Sequence, residues 1–332
     1  MVSDLEKSRM TILFDSYMSE KAMDILRKIA DVKKAADLSE DTLVREASQV
    51  DVIVIHSPTT RITRKIIMGA RNLKVIGKTA RGVETIDLKA ATERKIPVVF
   101  YPPDINSVEV TEFTFALLFE LTKRVGKLNR DFKDIGWKAK DGYRHIQLSG
   151  KTFGIIGFGS IGSFVARTAK CFGMRVLVSR KRRDGEALKQ VRDAGAELVD
   201  LETLLREADF VSIHVPLTEG TQHMIGAGQL RMMKKTAFLI NVARGGVVDE
   251  KALYDAIAKG DLAGAGLDVF QMEPLPSDNP LLRLDNVVAT PHVAWATHEF
   301  IAAARGHISI ATDVVRVLQG ERPQFIANPE IY

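Results

Sequence analysis

Apolar residues in the first hundred positions fall into short continuous runs separated by amphipathic stretches. Thr11 to Phe14, Asp51 to Ile55, Lys74 to Ile76 and Val98 to Phe100 read as strands, while Lys21 to Ile29 and Leu88 to Arg94 read as helices with one apolar face. Strands of this kind, apolar on both sides, belong to a parallel sheet covered by helices on each face. Tyr101-Pro102-Pro103-Asp104 breaks the rhythm. Ser107 to Val125 then carries Val110, Phe113, Leu117, Leu118 and Leu121 at the spacing of a long helix. A second alternating series runs from Lys151 to Ala289, with strands at Thr152 to Ile156, Met174 to Val178, Ala208 to Ile213, Ala237 to Ile240, Gly264 to Val269 and Val287 to Ala289. A last helix over Glu299 to Leu318 stops before Gly320, a residue suited to the position after a helix C-cap.

The pattern is α/β throughout, and 332 residues exceed one comfortable core. Residues 1–103 with 297–332 are expected to form one domain and residues 104–296 the other. Crossovers near residues 101–106 and 293–300 would leave a cleft between them. Hydrophobic content of 45% and charged content of 27% are ordinary for a globular chain. The net charge of +5 is small, and Arg180, Lys181, Arg182 and Arg183 can account for most of it, which points to a local anion site and not to a nucleic-acid face. The single cysteine, Cys171, excludes an internal disulfide, suits a reducing compartment and is expected on the buried side of its helix. Met1 to Lys7 and the short run Ile12 to Phe14 do not read as a signal peptide, and no stretch approaches the ~18 apolar residues of a membrane span. The expectation is a cytoplasmic protein with neither membrane nor nucleic-acid partners.

Thr152-Phe-Gly-Ile-Ile-Gly157-Phe-Gly159-Ser160-Ile161-Gly162 joins a buried strand to a helix through a glycine-rich turn. Here the first glycine makes the turn, the second admits a pyrophosphate against the backbone, and the third lets helix and strand pack closely. The phosphates then sit at the helix N-terminus, where the N–H groups and macrodipole favour anions. The next strand ends in Ser179-Arg180-Lys181-Arg182-Arg183, where a carboxylate would ordinarily hold the ribose 2′-hydroxyl. Cations at that point predict NADP(H), with NAD(H) as the lesser cofactor. The competing interpretation of the run is a solvated surface turn.

Three further segments end or follow strands: Ile240-Asn241-Val242-Ala243-Arg244, Asp268 to Glu273, and Thr290-Pro291-His292. Ligand crevices of open α/β sheets lie at the carboxyl ends of strands, so Arg244, Glu273 and His292 form one candidate site. Their chemistry is coherent. Arg pairs with a carboxylate, His exchanges a proton with a carbonyl or hydroxyl, and Glu orients the imidazole and favours its protonated form. No histidine shows a metal-ligand spacing, and none of His56, His145, His223 and His307 is assigned a metal role.

These motifs, together with Gly82-Val83-Glu-Thr-Ile-Asp87, Val110 to Thr114, His214-Val215-Pro216-Leu-Thr218 and Asn241 to Asp249, resemble the D-isomer-specific 2-hydroxyacid dehydrogenases along nearly the whole chain. The resemblance implies a Rossmann-type dinucleotide-binding domain inserted in a flavodoxin-like α/β substrate-binding domain. It also implies Arg244 as substrate binder, Glu273 as partner of His292, His292 as the proton donor in carbonyl reduction, and Asp268 near the nicotinamide carboxamide. Gly157, Gly159, Ser160, Ile161, Gly162, Ser179, Arg180, Lys181, Arg182, Val215, Pro216, Thr221, Val242, Ala243, Arg244, Asp268 and His292 would line the cofactor. His214 reads as structural. Arg81, Gly82, Val83, Arg244, His292 and Trp295 would line the substrate, with Arg81 either a second cation or a solvated loop residue, and Trp295 either a pocket wall or a packing residue. The chain departs from the family at Ala80-Arg81-Gly82, where two glycines are usual, and at His56-Ser-Pro58-Thr-Thr-Arg61, where phosphoglycerate dehydrogenases tend to carry phosphate-binding arginines. An unphosphorylated small 2-oxoacid or 2-hydroxyacid is therefore expected, glyoxylate or hydroxypyruvate among the candidates; the resemblance also implies a homodimer through the Ser107 to Val125 helix and the segment next to Gln147. The alternatives are an NAD-dependent phosphoglycerate or other D-2-hydroxyacid dehydrogenase and a dinucleotide-sensing corepressor-like scaffold.

Overall fold

The computed structural model describes residues 9–332 apart from residues 58 and 103. The absence of a leader read at Met1 to Lys7, and the prolines at 58 and 103, lie outside the described residues. The chain divides into two compact units, one reaching to Ile105 and resuming at His298, the other Asn106–Thr297.

The first unit holds β1 (Met10–Phe14), β2 (Ala30–Lys34), β3 (Val52–Ile55), β4 (Val75–Lys78) and β5 (Val98–Val99) in a parallel sheet of order β2-β1-β3-β4-β5. That is the flavodoxin-like doubly wound order. β3 is buried throughout, as its continuous apolar run requires, and β4, Val-Ile-Gly-Lys, is buried to its last residue, where Lys78 Nζ donates to the Ser57 carbonyl at 2.6 Å. β2 carries no apolar run to announce it: the strand reads Ala-Asp-Val-Lys-Lys and only Ala30 is buried, because it is the sheet edge. The helix Arg305–Leu318 lies close over β4, where Gly77 leaves room, since a Cβ there would stand 2.9 Å from Ile310 Cγ2. One helix was expected over Glu299 to Leu318. The structure instead has His298–Ala303 and Arg305–Leu318, interrupted by Ala304 at φ 53°. Apolar periodicity runs on across the break and gives no sign of it. Gly320, at φ 82°, takes the left-handed position after the C-cap.

The second unit holds β6 (Thr152–Ile156), β7 (Arg175–Ser179), β8 (Glu197–Leu198), β9 (Phe210–Ile213), β10 (Phe238–Asn241), β11 (Gly264–Leu267) and β12 (Val287–Ala289), all parallel, in the order β12-β11-β10-β9-β6-β7-β8. The direction of winding reverses between β6 and β9, the point at which a Rossmann sheet binds its dinucleotide. Alternate residues feed the two faces: Phe153, Phe210 and Phe238 enter one core with Phe115 and Leu118, while Ile156, Val211 and Leu239 enter the other with Leu204 and Leu253. The long helix Ser107–Lys123 covers the first face and stops at Arg124, which is left-handed at φ 51°. Cys171 corrects an expectation. It is exposed, because the buried stripe of the helix Ser160–Cys171 runs through Val165, Ala166 and Ala169, and two further residues turn the chain by about 200° to the opposite side. Among the described residues no helix is long and apolar enough to cross a membrane.

Candidate active site

The glycine-rich turn lies between β6 and the helix Ser160–Cys171. Gly157 has φ 95°, and a Cβ on it would stand 2.5 Å from the His214 carbonyl oxygen and 2.7 Å from Val215 Cγ1. Only glycine suits both the angle and the gap. A Cβ on Gly162 would meet the Gly157 carbonyl oxygen at 2.3 Å, so the third glycine lets the helix close on the turn. Gly159 differs from both: a Cβ there meets nothing within 4 Å, and the residue is exposed as the N-cap with no side chain to cap the helix. Bare backbone facing open space at a helix N-terminus fits a pyrophosphate. Ser160 begins the helix and Ile161 packs half-buried against the core.

At the end of β7 the Ser179 carbonyl accepts from Gly157 N–H at 2.8 Å, tying the strand to the turn. The Arg180 guanidinium stands 5.9 Å from the centroid of the Phe158 ring inside that turn, and its Nη1 donates to Gln190 Oε1 at 3.1 Å. Arg182 is paired with Asp184, and Arg183 donates to the Val199 carbonyl. The predicted cluster is thus divided, with Arg180 turned toward the glycines and Lys181 exposed. After β9, burial pushes the His214 imidazole down to about 3, and the ring is hydrogen-bonded to Ser212 Oγ at 2.8 Å. A neutral histidine in the wall of the turn is a structural one. Thr221 Oγ1 donates to the Pro216 carbonyl at 2.6 Å and accepts from Thr218 N–H at 2.8 Å, closing the loop after Val215.

β10, β11 and β12 bring the remaining segments together. Asn241, at the end of β10, is 1% exposed, accepts from Ala243 N–H at 3.1 Å and donates to the Arg244 carbonyl at 3.0 Å, which bends the chain through Val242 into Arg244. A Cβ on the next residue, Gly245, would stand 1.9 Å from the Phe270 carbonyl carbon. Glycine here lets this loop lie directly on the segment from Asp268 to Glu273. Glu273 Oε1 accepts from Phe270 N–H at 3.0 Å and Oε2 is 2.7 Å from His292 Nδ1. Burial pushes the Glu273 carboxyl up, but the hydrogen bond and charge of His292, the Phe270 amide and the charge of Arg244 outweigh it and hold the group below its ordinary value. His292 itself has φ 55°, a left-handed backbone that costs a non-glycine residue roughly 1–3 kcal/mol.

Residues 115–294 match the model of the D-isomer specific 2-hydroxyacid dehydrogenase NAD binding domain. The chain belongs to the D-isomer specific 2-hydroxyacid dehydrogenase family. It is 41% identical over 319 residues to a D-3-phosphoglycerate dehydrogenase of Methanocaldococcus jannaschii, covering 96% of this chain but only 59% of that relative's length. It is 42% identical over 307 residues to a glyoxylate reductase of Korarchaeum cryptofilum, covering 90% of this chain and 89% of the relative. The crystal structure of D-lactate dehydrogenase from Aquifex aeolicus complexed with NAD and lactic acid superposes with a TM-score of 0.83 at 29% identity, covering 93% of this chain and 96% of that one.

In this chain the second unit alone carries Arg244, Glu273 and His292. Arg81, Gly82 and Val83 belong to the first unit, in the loop after β4, where Arg81 Nη1 donates to the Tyr101 carbonyl at 3.3 Å and its guanidinium stands 5.5 Å from the Phe100 ring centroid. Trp295 is half-buried, and its Nε1 donates to the His292 carbonyl at 3.1 Å, so the indole is tied to the loop that carries His292. Asp268 is 0% exposed and both its oxygens are engaged by the chain's own donors. Asn241 and Thr290, to which the sequence motifs assign no role, both hydrogen-bond within the site. Their signal is a polar residue where an apolar strand ends. Among the described residues no group of three or more His, Cys, Asp or Glu is placed to hold a metal ion.

The low Glu273 value yields a prediction with a definite sign. Its contribution to stability is complete above the ordinary glutamate range and is lost as pH falls through the lower folded value. Urea unfolding of the wild type and of Glu273→Gln, followed from about pH 7 to about pH 3, should give a stability gap that narrows on acidification. A gap independent of pH would refute the ionised pair.

Proposed function

We propose that the protein reduces a small unphosphorylated 2-oxoacid, of the glyoxylate or hydroxypyruvate class, to the D-2-hydroxyacid with NADPH. The observation that carries this reading is the engagement of His292 Nδ1 by Glu273 at 2.7 Å, which assigns proton exchange to Nε2. When bound, the nicotinamide dinucleotide supplies the hydride for the carbonyl carbon. Arg244 pairs with the substrate carboxylate. His292, as imidazolium, gives its Nε2 proton to the carbonyl oxygen, and in the reverse direction the neutral ring takes it back. Glu273 remains ionised, fixes the ring plane and balances the imidazolium charge. Arg244, Glu273 and His292 are all present, which favours an enzyme over a dinucleotide-sensing scaffold.

Two observations support the finer choices. Arg180 directly follows β7, at the position that reads the ribose, and its contact with Phe158 directs the guanidinium to the glycine turn. The loop after β3, with His56 in place of arginine, accords with a substrate lacking a phosphate. NAD-dependent oxidation of phosphoglycerate is the competing reading, and a panel of acids assayed with both dinucleotides separates the two.

A homodimer is part of the same proposal. The helices Ser107–Lys123 and Ser160–Cys171 border a groove of about 510 Å³ walled by Phe115, Phe119, Phe164 and Phe172, with Phe164 and Phe172 each 38% exposed. An aromatic surface of this kind on one face suits a self-complementary two-fold contact.

Arg180→Asp should lower kcat/KM for NADPH by roughly 10- to 100-fold, through loss of a charge-assisted phosphate contact and added repulsion. A wild-type enzyme that uses NADH as well as or better than NADPH would sink the cofactor assignment. His292→Ala should retain dinucleotide binding in a fluorescence titration and lose turnover by about 10²–10⁴-fold; wild-type rates on glyoxylate and hydroxypyruvate would rule out the mechanism. Sedimentation should return a dimer at micromolar concentration, and Phe164→Asp should shift it toward monomer. A wild-type monomer under those conditions contradicts the assembly.

A further inference from the structure

His56 and His307, 251 residues apart in sequence, share one hydrogen-bond chain inside the first unit. Ser19 N–H donates to His307 Nδ1 at 3.2 Å. A backbone amide can only donate, so a neutral His307 carries its proton on Nε2. That nitrogen stands 3.4 Å from His56 Nδ1, which therefore accepts. The Thr79 hydroxyl lies 2.9 Å from the same Nδ1 and 3.2 Å from the Ile55 carbonyl, and it donates to the nearer acceptor. Tyr101 is hydrogen-bonded to Thr79 in turn, and burial pushes its phenol up, so it stays neutral. The chain joins the loop after β1, the residues that follow β3, β4 and β5, and the first turn of the helix Arg305–Leu318. Gly306 lets that turn lie on Tyr101, where a Cβ would stand 2.3 Å from Cζ.

Neither ring can take a second proton in place. On His307 it would occupy Nδ1, against the Ser19 N–H. On His56 it would occupy Nδ1, against the His307 N–H and the Thr79 hydroxyl. Each case sets donor against donor and leaves a charge in a poorly solvated site. Tyr17 packs on both rings, with centroids 5.6 Å from His56 and 5.4 Å from His307. Among the described residues the charges facing the pair are Asp15, which accepts from the His56 and Ser57 amides at 2.8 and 2.9 Å, and buried Lys78. Asp15 favours an imidazolium at His56 and Lys78 opposes one, while the positive N-terminal end of its helix opposes one at His307. Burial outweighs Asp15 and holds His56 below its ordinary value; burial, then the neighbouring His56, pushes His307 down to about 4.

We propose that His56 and His307 form an acid-sensitive latch: with both rings neutral, they hold the loop after β1 and the first turn of the helix Arg305–Leu318 at the carboxyl ends of β3 and β4, and protonation of either ring releases them. The latch lies within the first unit and does not depend on the reduction proposed above. Its sign follows from the lowered values. A histidine held below its unfolded value, about 6.5, contributes stability that is complete above that pH and is lost as the pH falls toward the folded value. The release therefore falls between about pH 6.5 and about pH 4.

Hydrogen–deuterium exchange of the full-length protein at about pH 7 and about pH 4.5, corrected for the intrinsic rate, tests this. Peptides covering residues 15–23 and 300–310 should exchange roughly 10-fold faster at the lower pH and recover on return to neutrality, while the peptide 152–171 of the second unit keeps its protection. His307→Gln, which cannot titrate, should exchange fast in the same two peptides at both pH values. Unchanged protection of those peptides at about pH 4.5 overturns the proposal. So does an equal loss of protection in the second unit, which is general acid unfolding, or a wild-type acid response in His307→Gln. Should His307→Gln fail to fold, the imidazole nitrogen shifts of the wild type decide: at about pH 6 both rings should show a bare Nδ1 and a protonated Nε2, and either ring found charged at that pH overturns the latch.

Discussion

Parallel in-register pairing of β10, β11 and β12 is the constraint on which the candidate site depends. Asn241 stands beside Leu267, and Leu267 beside Ala289, so three chains leave the sheet side by side at one end. Adjacent strands are about 4.8 Å apart, so short excursions suffice to bring the residues that follow into contact. Arg244 and His292 each come three residues after their strand ends, while Glu273 comes after a longer loop held flat by the close approach of Gly245 to Phe270. A shift of one residue between β11 and β12 would turn Ala289 to the other face and carry His292 away from Glu273.

Within that frame, charge decides where side chains stay. Glu273 remains ionised despite burial because an imidazole, an amide and a guanidinium charge surround it. Asp268 has no cation in hydrogen-bond contact; burial pushes its carboxyl up against the opposing pull of Thr290, two amides and the charge of His292. Two carboxylates a few residues apart thus meet different surroundings. One faces the imidazole, and the other faces the backbone that carries it.

Glycine does comparable work after β6, at the same carboxyl end of the parallel sheet. Gly157 and Gly162 are required by contacts within the protein, whereas Gly159 is required by none of the protein's own atoms. Its place between a buried strand and a helix N-terminus suits an anionic ligand. Arg180 then lies where the second half of a dinucleotide would be read.

Much of this was legible in the chain itself. Continuous apolar runs such as Val52 to Ile55 announce buried parallel strands, and glycines at 157, 159 and 162 announce a turn that binds a dinucleotide, because both signals are local. Arg244, Glu273 and His292 could be nominated together because each follows a strand end, and strand ends are readable. Other features were not readable. β2 is an edge strand in which Asp31, Lys33 and Lys34 interrupt the apolar pattern, the break at Ala304 lies inside an unbroken apolar period, and Cys171 sits opposite the stripe that its helix buries. The partners of Asp268 lie 22 to 26 residues downstream and meet it only because β11 and β12 pair in one register. Local sequence determines which backbone conformations and which chemical groups are available. The tertiary structure decides which of those groups share a hydrogen bond, because that depends on strand register and on loop approaches that no short stretch of residues contains.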